Sequence, residues 1–301
     1  MDGILIIDKP EGPTSHDVVN RLRRILKTKK IGHTGTLDPF ATGVLVMLIG
    51  KATRLAQFLD KDNKEYEALI RFGFETDTGD GTGARTAECG LWNEALSSRL
   101  ANLDWNEVLP KFRGEIIQIP PMYSAKKVNG KKLYQHARKG VMVERQPVTV
   151  LVRELEILDP VKIRDPQSAI RIRVVCSAGT YIRTLAEDIG RAIGVGAHLQ
   201  DLRRTRAGGF RIEDAATLEE LEEAPDPFKF LRPMNEAVAH LPEFVLDNDR
   251  VEKTLNGLST RVERYDLSTG AVRMVNKDGN VVAVGVYSDP ERIVRPKIVL
   301  M

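Results

Sequence analysis

The sequence predicts an α+β protein that ends in a small all-β module. Three observations carry this. Runs with apolar and polar residues at period two alternate with two runs whose apolar residues fall at helical spacing, and a turn-rich Asn276–Asn280 segment sits between two valine-rich runs near the end.

Taken in order, Gly3 to Ile7 (GILII) is a short buried strand. Thr14 and Asp17 have capping-box spacing, and Val18, Leu22, Ile25 and Leu26 follow on one helical face. Residues 32–43 (GHTGTLDPFATG) have no period and are rich in Gly and Thr, which predicts a loop. Val44 to Ile49 is a second buried strand, and Tyr66, Ala68, Ile70 and Phe72 alternate with partly polar neighbours as a half-buried third. Thr76 to Gly83 (TDTGDGTG) is a glycine-rich loop without the spacing of a dinucleotide-binding fingerprint. Val148–Val152 and Ile170–Val174 alternate as two more strands. Ile182, Leu185, Ala186, Ile189 and Ile193 form the stripe of a helix that starts near Thr180 and stops at Gly194. Pro225, Pro227 and Pro233 mark a boundary at about 225–241, and Lys277-Asp278-Gly279 closes the later hairpin.

Composition excludes several classes. The chain has 301 residues, 42% hydrophobic and 29% charged, as expected for a folded globular protein of about two domains. Gly43 to Gly50, the longest apolar run, is far shorter than the ~20 residues of a membrane span. The start (MDGILIIDKP) lacks the pattern of a secretory signal, and Cys89 and Cys176 have no metal or redox spacing, so a cytoplasmic location is expected. The five histidines show no ligand spacing, so neither metal nor cofactor is expected.

The net charge of +3 hides an uneven distribution. Six basic residues and no acid lie between Arg21 and Lys30, and six more between Lys126 and Lys139 surround Tyr134 beside Tyr123. Arg203, Arg204, Arg206 and Arg211 form a third run, after which seven acids fall between Glu213 and Asp226. Three one-signed patches, two with interleaved aromatics, point to RNA or DNA.

Among residues able to do chemistry, Asp38 stands out because glycines and threonines around it let a substrate approach its carboxylate. A plain Asp-Pro turn remains the other reading. Arg183 lies in the first turn of its helix, where a cation opposes the helix dipole. Its planar fork can hold a buried carboxylate, or it can pair at the surface with Glu187 four residues on. Tyr66 fits either core packing or a substrate contact, and His33 alone reads as a loop histidine.

GHTGTLDPFATGVL (residues 32–45) resembles the catalytic-aspartate motif of the TruB family of tRNA pseudouridine-55 synthases. So do GILIIDKPEGPTSHDVV at the start, KATRLAQFLDKDNKEYEA around Tyr66, IPPMYSAKKVNGKKLYQHARKG, CSAGTYIRTLAEDIG and AHLQDLRRTRAGGF. These blocks run in order through most of residues 3–215, and residues 242–301 more weakly resemble a PUA-type RNA-binding domain. The resemblance implies a pseudouridine-synthase-type mixed, largely antiparallel sheet with flanking helices over 1–235, and a PUA-like barrel over 242–301. It implies isomerisation of a flipped-out uridine in the T loop of tRNA. Asp38 would be the nucleophile and Arg183 its partner. Tyr66 would stack on the uracil and handle the C5 proton, Tyr181 and Leu202 would line the pocket, and His33 would fill the vacated stack. No cofactor, metal, membrane or obligatory protein partner is implied, and a monomer is expected. The basic patches alone fit a non-catalytic RNA-binding or RNA-folding protein equally well, and the core also resembles guide-RNA-directed synthase subunits.

Overall fold

The computed structural model describes residues 2–59, 62–88, 100, 102–124, 126–128, 130–137, 139–158, 168–262, 267 and 269–301. Among these, the main sheet has nine strands: β1 (Gly3–Lys9), β2 (Ile31–Thr34), β3 (Thr42–Ile49), β4 (Lys64–Phe72), β7 (Gly114–Gln118), β10 (Val148–Ile157), β11 (Ala169–Cys176), β12 (Ala197–Ala207) and β13 (Phe210–Arg211). Two small pairs, β5 (Phe74–Thr76) with β6 (Arg85–Glu88) and β8 (Lys127–Val128) with β9 (Lys131–Lys132), form separate two-stranded sheets.

The sheet runs in the order β1-β3-β12-β4-β11-β10-β7, with β2 added to β3 and β13 to β12. Every pairing is antiparallel except β12 with β3. The mixed, largely antiparallel sheet expected from the sequence is therefore present, with helices against it.

Local sequence explains the helices. Thr14 and Asp17 form the capping box, and the helix Ser15–Ile25 lays Val18, Val19 and Leu22 on Leu5, Ile7, Leu45 and Met47. The helix Ile182–Ile193 buries Ile182, Leu185, Ala186 and Ile189 against Ala68, Ile70, Phe72 and Ile172, and stops where Gly194 turns left-handed at φ 74°.

Two elements differ from expectation. Gly32, His33 and Thr34 belong to strand β2 rather than to the loop, because the free edge of β3 supplies partners at Leu48, Met47 and Val46 that a glycine-containing segment cannot announce by period. The central strand β12 was hidden by its arginines and by two register shifts that break its alternation.

At the C-terminal end, β14 (Glu243–Val245), β15 (Thr260–Arg261), β16 (Gly270–Val275), β17 (Val281–Ser288) and β18 (Ile293–Val299) form a five-stranded sheet. The expected hairpin is there: Asn276 donates its backbone N–H to Asn280, and its side chain accepts from Asn280 N. One apolar cluster joins the two sheets. Val275, Val281, Val284, Ile298 and Leu300 pack with Ile4, Ile6, Val44 and Val46. The last residues of the chain thus complete the core over β1 and β3.

This shared core predicts that Leu300→Ala, one residue from the end, destabilises the whole protein by about 2–5 kcal/mol in a single transition. Chemical denaturation followed by circular dichroism reads it. An unchanged midpoint would mean that the C-terminal sheet does not support the first two strands.

Candidate active site

The Asp38 loop is held from behind by the start of the chain. Ser15 Oγ accepts the Leu37 N–H at 2.9 Å, and Gly12 donates to the Pro39 carbonyl at 2.9 Å. Lys9, fully buried at the end of β1, donates its ammonium to the carbonyls of Pro10, Pro39 and Ala41 at 2.8, 3.1 and 2.7 Å. Burial lowers its pKa to about 8, opposed by the nearby Asp38 charge.

Arg204, 1% exposed on β12, performs the same service on the other side, donating to the carbonyls of Val44 and Gly35 at 2.6 and 3.0 Å. A Cβ on Gly43, where φ is +99°, would lie 2.2 Å from the Arg204 carbonyl oxygen, so this crossing of β3 and β12 requires glycine.

Asp38 and Arg183 meet: Asp38 Oδ2 lies 3.0 Å from Arg183 Nη2. The planar fork does hold this carboxylate, through Nη2. The guanidinium is divided, with Nη1 donating to the Thr78 carbonyl at 2.8 Å and lying 3.5 Å from Asp80 Oδ2, and Nη2 also donating to the Tyr123 carbonyl at 2.6 Å. Asp80 is itself fixed, since its Oδ1 accepts from Thr78 Oγ1, Thr82 N and Thr82 Oγ1. The Arg183–Glu187 surface pair is also absent: Arg183 is 5% exposed, and Glu187 turns toward Arg191.

Asp38 has a wet edge and a dry back. Its side chain keeps 34% of its surface toward the pocket, yet protein atoms crowd it on every other side. Burial raises its pKa, Arg183 opposes the rise, Asp80 adds to it and Lys9 lowers it again. The carboxyl ends above its usual value.

The pocket is about 260 Å³ in volume, lined by Asp38, Tyr66, Tyr181, Arg183 and Leu202 together with Lys64, Lys126 and Arg204. Five of the six site residues expected from the sequence thus share one cavity. Tyr66 is 9% exposed with its phenol pKa raised by burial and its hydroxyl bonded to Arg204, so the phenol is protonated at neutral pH. Tyr181 caps the 182–193 helix by backbone alone, and Gln118 holds that backbone by accepting its N–H at 2.9 Å and donating to its carbonyl at 3.1 Å. Leu202 faces Ala68 across β12 and β4.

His33 is the exception. It stands on β2, outside the lining, with a buried Nδ1 that has no hydrogen-bond partner, and burial lowers its pKa so that the ring is neutral.

The basic patches divide. Most of the third is engaged within the protein, because Arg203 pairs with Asp8 at 2.7 Å, Arg206 with Glu65 at 3.5 Å, and Arg204 is buried, while Arg211 stays exposed. Part of the first is matched by the acidic segment, since Arg21 bonds Glu219 and Glu222 at 2.9 and 2.7 Å. The second reaches the pocket through Lys126, and within it Lys132 lies 5.6 Å from the Tyr134 ring. Arg138 and the side chain of Lys127 lie outside the described residues.

Among the described residues no group of three or more potential metal ligands gathers, and no helix is long and apolar enough to cross a membrane.

Fold and pocket together define a pseudouridine synthase. Over 99% of this chain the structure matches a chain of an H/ACA ribonucleoprotein bound to a substrate RNA containing 2'-deoxyuridine, with TM-score 0.72, 30% identity and 85% of that chain covered. A chain of the archaeal box H/ACA Nop10–Cbf5 complex matches at TM-score 0.71 and 30% identity, over 99% of this chain and 86% of that one. The model of the TruB family pseudouridylate synthase N-terminal domain matches residues 23–182, and that of the tRNA pseudouridylate synthase B C-terminal domain matches 183–239. Proteins named tRNA pseudouridine synthase B from Solibacter usitatus and Streptococcus sanguinis are 42% and 45% identical, over 100% and 85% of this chain and 100% and 87% of theirs. The chain belongs to the TruB family of pseudouridylate synthases.

The geometry predicts the stability of Arg183→Met. Asp80, whose side chain is 6% exposed, loses its cation, and the cost near neutral pH is about 3 kcal/mol. The folded-state pKa of Asp38 is already above its unfolded value, so its ionised form weakens folding, and this penalty vanishes as pH falls through the raised value. Loss of Arg183 enlarges the shift. Denaturation midpoints of variant and wild type should therefore converge on acidification; a constant difference would show that the loss is packing alone.

Proposed function

We propose that the chain isomerises uridine to pseudouridine at position 55, in the T loop of tRNA, with Asp38 as nucleophile. The observation that carries this is the Asp38 carboxylate, wet on one edge and paired with Arg183, beside the buried Tyr66 ring in one pocket.

The reaction breaks the bond between ribose C1′ and uracil N1, forms one between C1′ and C5, moves a proton off C5 and leaves one on N1. No oxidant, reductant or water is consumed. Attack by Asp38, on C1′ or on the uracil ring, splits this exchange into two easier steps. Arg183 keeps the carboxylate ionised and aimed despite its dry backing.

A T-loop uridine is inaccessible in place, so it is extruded into the pocket. There Tyr66 stacks on the base, and Tyr181 and the Leu202 backbone bound it. Because burial keeps the Tyr66 phenol protonated, its oxygen accepts the C5 proton only while passing its own to water. The neutral His33 beside the pocket fills the gap the base leaves, and the lysines from 126 to 139 face the T-arm backbone. Residues 1–235 are the catalytic domain and 242–301 a PUA-like RNA-binding domain. The protein works in the cytoplasm as a monomer.

A second reading, action under a guide RNA, is favoured by the TM-score of 0.72 to a chain of an H/ACA particle. The identity of 42% along the full length to a protein named tRNA pseudouridine synthase B supports the stand-alone reading.

Purified protein with an unmodified tRNA transcript decides between them. Conversion without any guide is expected, and its absence in the presence of intact binding would favour the guided or non-catalytic reading. Asp38→Asn should bind the transcript within a few-fold of wild type and convert none of it. The wild-type rate should fall on acidification with a midpoint above the ordinary carboxylate value of 3.8, since burial raises Asp38. Tyr66→Phe should bind normally but turn over slowly, whereas Tyr66→Ala should also lose about 1–3 kcal/mol of stacking. Equal rates for Tyr66→Phe and wild type would remove the hydroxyl from the reaction.

A further inference from the structure

The cations of the pocket lining are not equally occupied. Arg183 is divided between two carboxylates and two carbonyls, and Arg204 between two carbonyls and the Tyr66 hydroxyl. Lys64, 4% exposed, donates to the carbonyls of Leu59 and Asp62 at 3.2 and 2.7 Å. Lys126 differs: its side chain lines the same pocket, and no described residue accepts a bond from its ammonium.

Its place is nevertheless fixed. The Lys126 carbonyl accepts the N–H of Leu133, which is fully buried, and Ser124 two residues earlier accepts from Tyr134 N. Asp38 takes Arg183 as its ion-pair partner at 3.0 Å, and Lys126 makes no ion pair with that carboxylate. The lining holds four cations, Lys64, Lys126, Arg183 and Arg204, against the carboxylate of Asp38, and Asp80 behind Arg183 offsets only one more. Uracil is neutral and cannot balance that excess. The group that can is the phosphodiester which enters the mouth with an extruded nucleotide.

We propose that Lys126 is a substrate-binding residue that takes a phosphodiester oxygen flanking the extruded uridine, on its 5′ or its 3′ side. The proposal rests on the reading that this pocket receives a flipped-out uridine. It assigns Lys126 to holding the nucleotide in place rather than to the bond exchange. Loss of the side chain therefore weakens capture of the substrate and spares the saturated rate.

The test uses the full chain, a T-arm stem-loop RNA, and the variants Lys126→Gln and Lys126→Arg. Conversion by wild type is measured first, so that failure of the underlying reading shows itself before any variant is compared. Lys126→Gln should raise KM and Kd roughly five- to twentyfold, with kcat within about threefold. The plot of log affinity against log salt should become shallower by about 0.7–0.9, the release belonging to one phosphate contact. Lys126→Arg should restore most of the affinity and the slope. RNAs carrying an uncharged methylphosphonate on the 5′ or the 3′ side of the uridine then locate the contact. The correct substitution weakens wild type and leaves Lys126→Gln unaffected. Unchanged affinity and salt slope in Lys126→Gln, with wild type active, would overturn the proposal. So would equal losses from each methylphosphonate in wild type and variant, and so would a fall in kcat alone.

Discussion

The active site depends on how one buried guanidinium is shared. Arg183, with 6% of its side chain exposed, reaches Asp38, Asp80 and the carbonyls of Thr78 and Tyr123. Those acceptors come from three stretches of chain far apart in sequence: the loop after β2, the turn between β5 and β6, and the segment after β7. A buried charge without partners is expensive, so each stretch is held where it can supply one. The same demand places the Asp38 carboxylate at the pocket. A lysine could not replace this planar fork, because its ammonium cannot present donors to four acceptors lying in different directions.

A second set of buried cations works through backbone carbonyls. Lys9 and Arg204 clamp the two sides of the loop that carries Asp38. Neutral carbonyls satisfy a cation without cancelling its charge, so Lys9 still lowers the Asp38 pKa across the loop. Burial and Asp80 push the other way. The carboxylate is thus poised by opposing effects, with one edge left open to the pocket.

Much of the fold could be read from the sequence because its period matched its burial. The capping box at Thr14, the 182–193 stripe and the alternation in β4 all reflect one face turned to a core. Asp38 was marked by the small residues around it, and Arg183 by its place against the helix dipole. Asp80, Lys9, Arg204 and Gln118 carried no such mark. Their partners lie far away in the chain, and no local spacing reports a contact made only after folding. Charge counting overstated the third basic run, where β12 turns Arg204 inward and pairs Arg203 and Arg206 with acids of β1 and β4. The C-terminal hairpin was legible from Asn276–Asn280. Its packing on β1 and β3 was not, since apolar residues on two separate sheets look alike whether they share a core or not.

The proposed nucleophile, the Asp38 carboxylate held by Arg183, must meet the reacting nucleotide. A crystal structure of Asp38→Asn with a T-arm stem-loop RNA tests it most directly, because the variant preserves shape while stopping the exchange. The uridine should lie flipped out over Tyr66, with an atom of the residue 38 side chain about 3–3.5 Å from C1′ or from the uracil ring. Which of the two lies closer identifies the site of attack. A uridine seated in the pocket with residue 38 turned away and beyond reach of both would rule out Asp38 as the nucleophile.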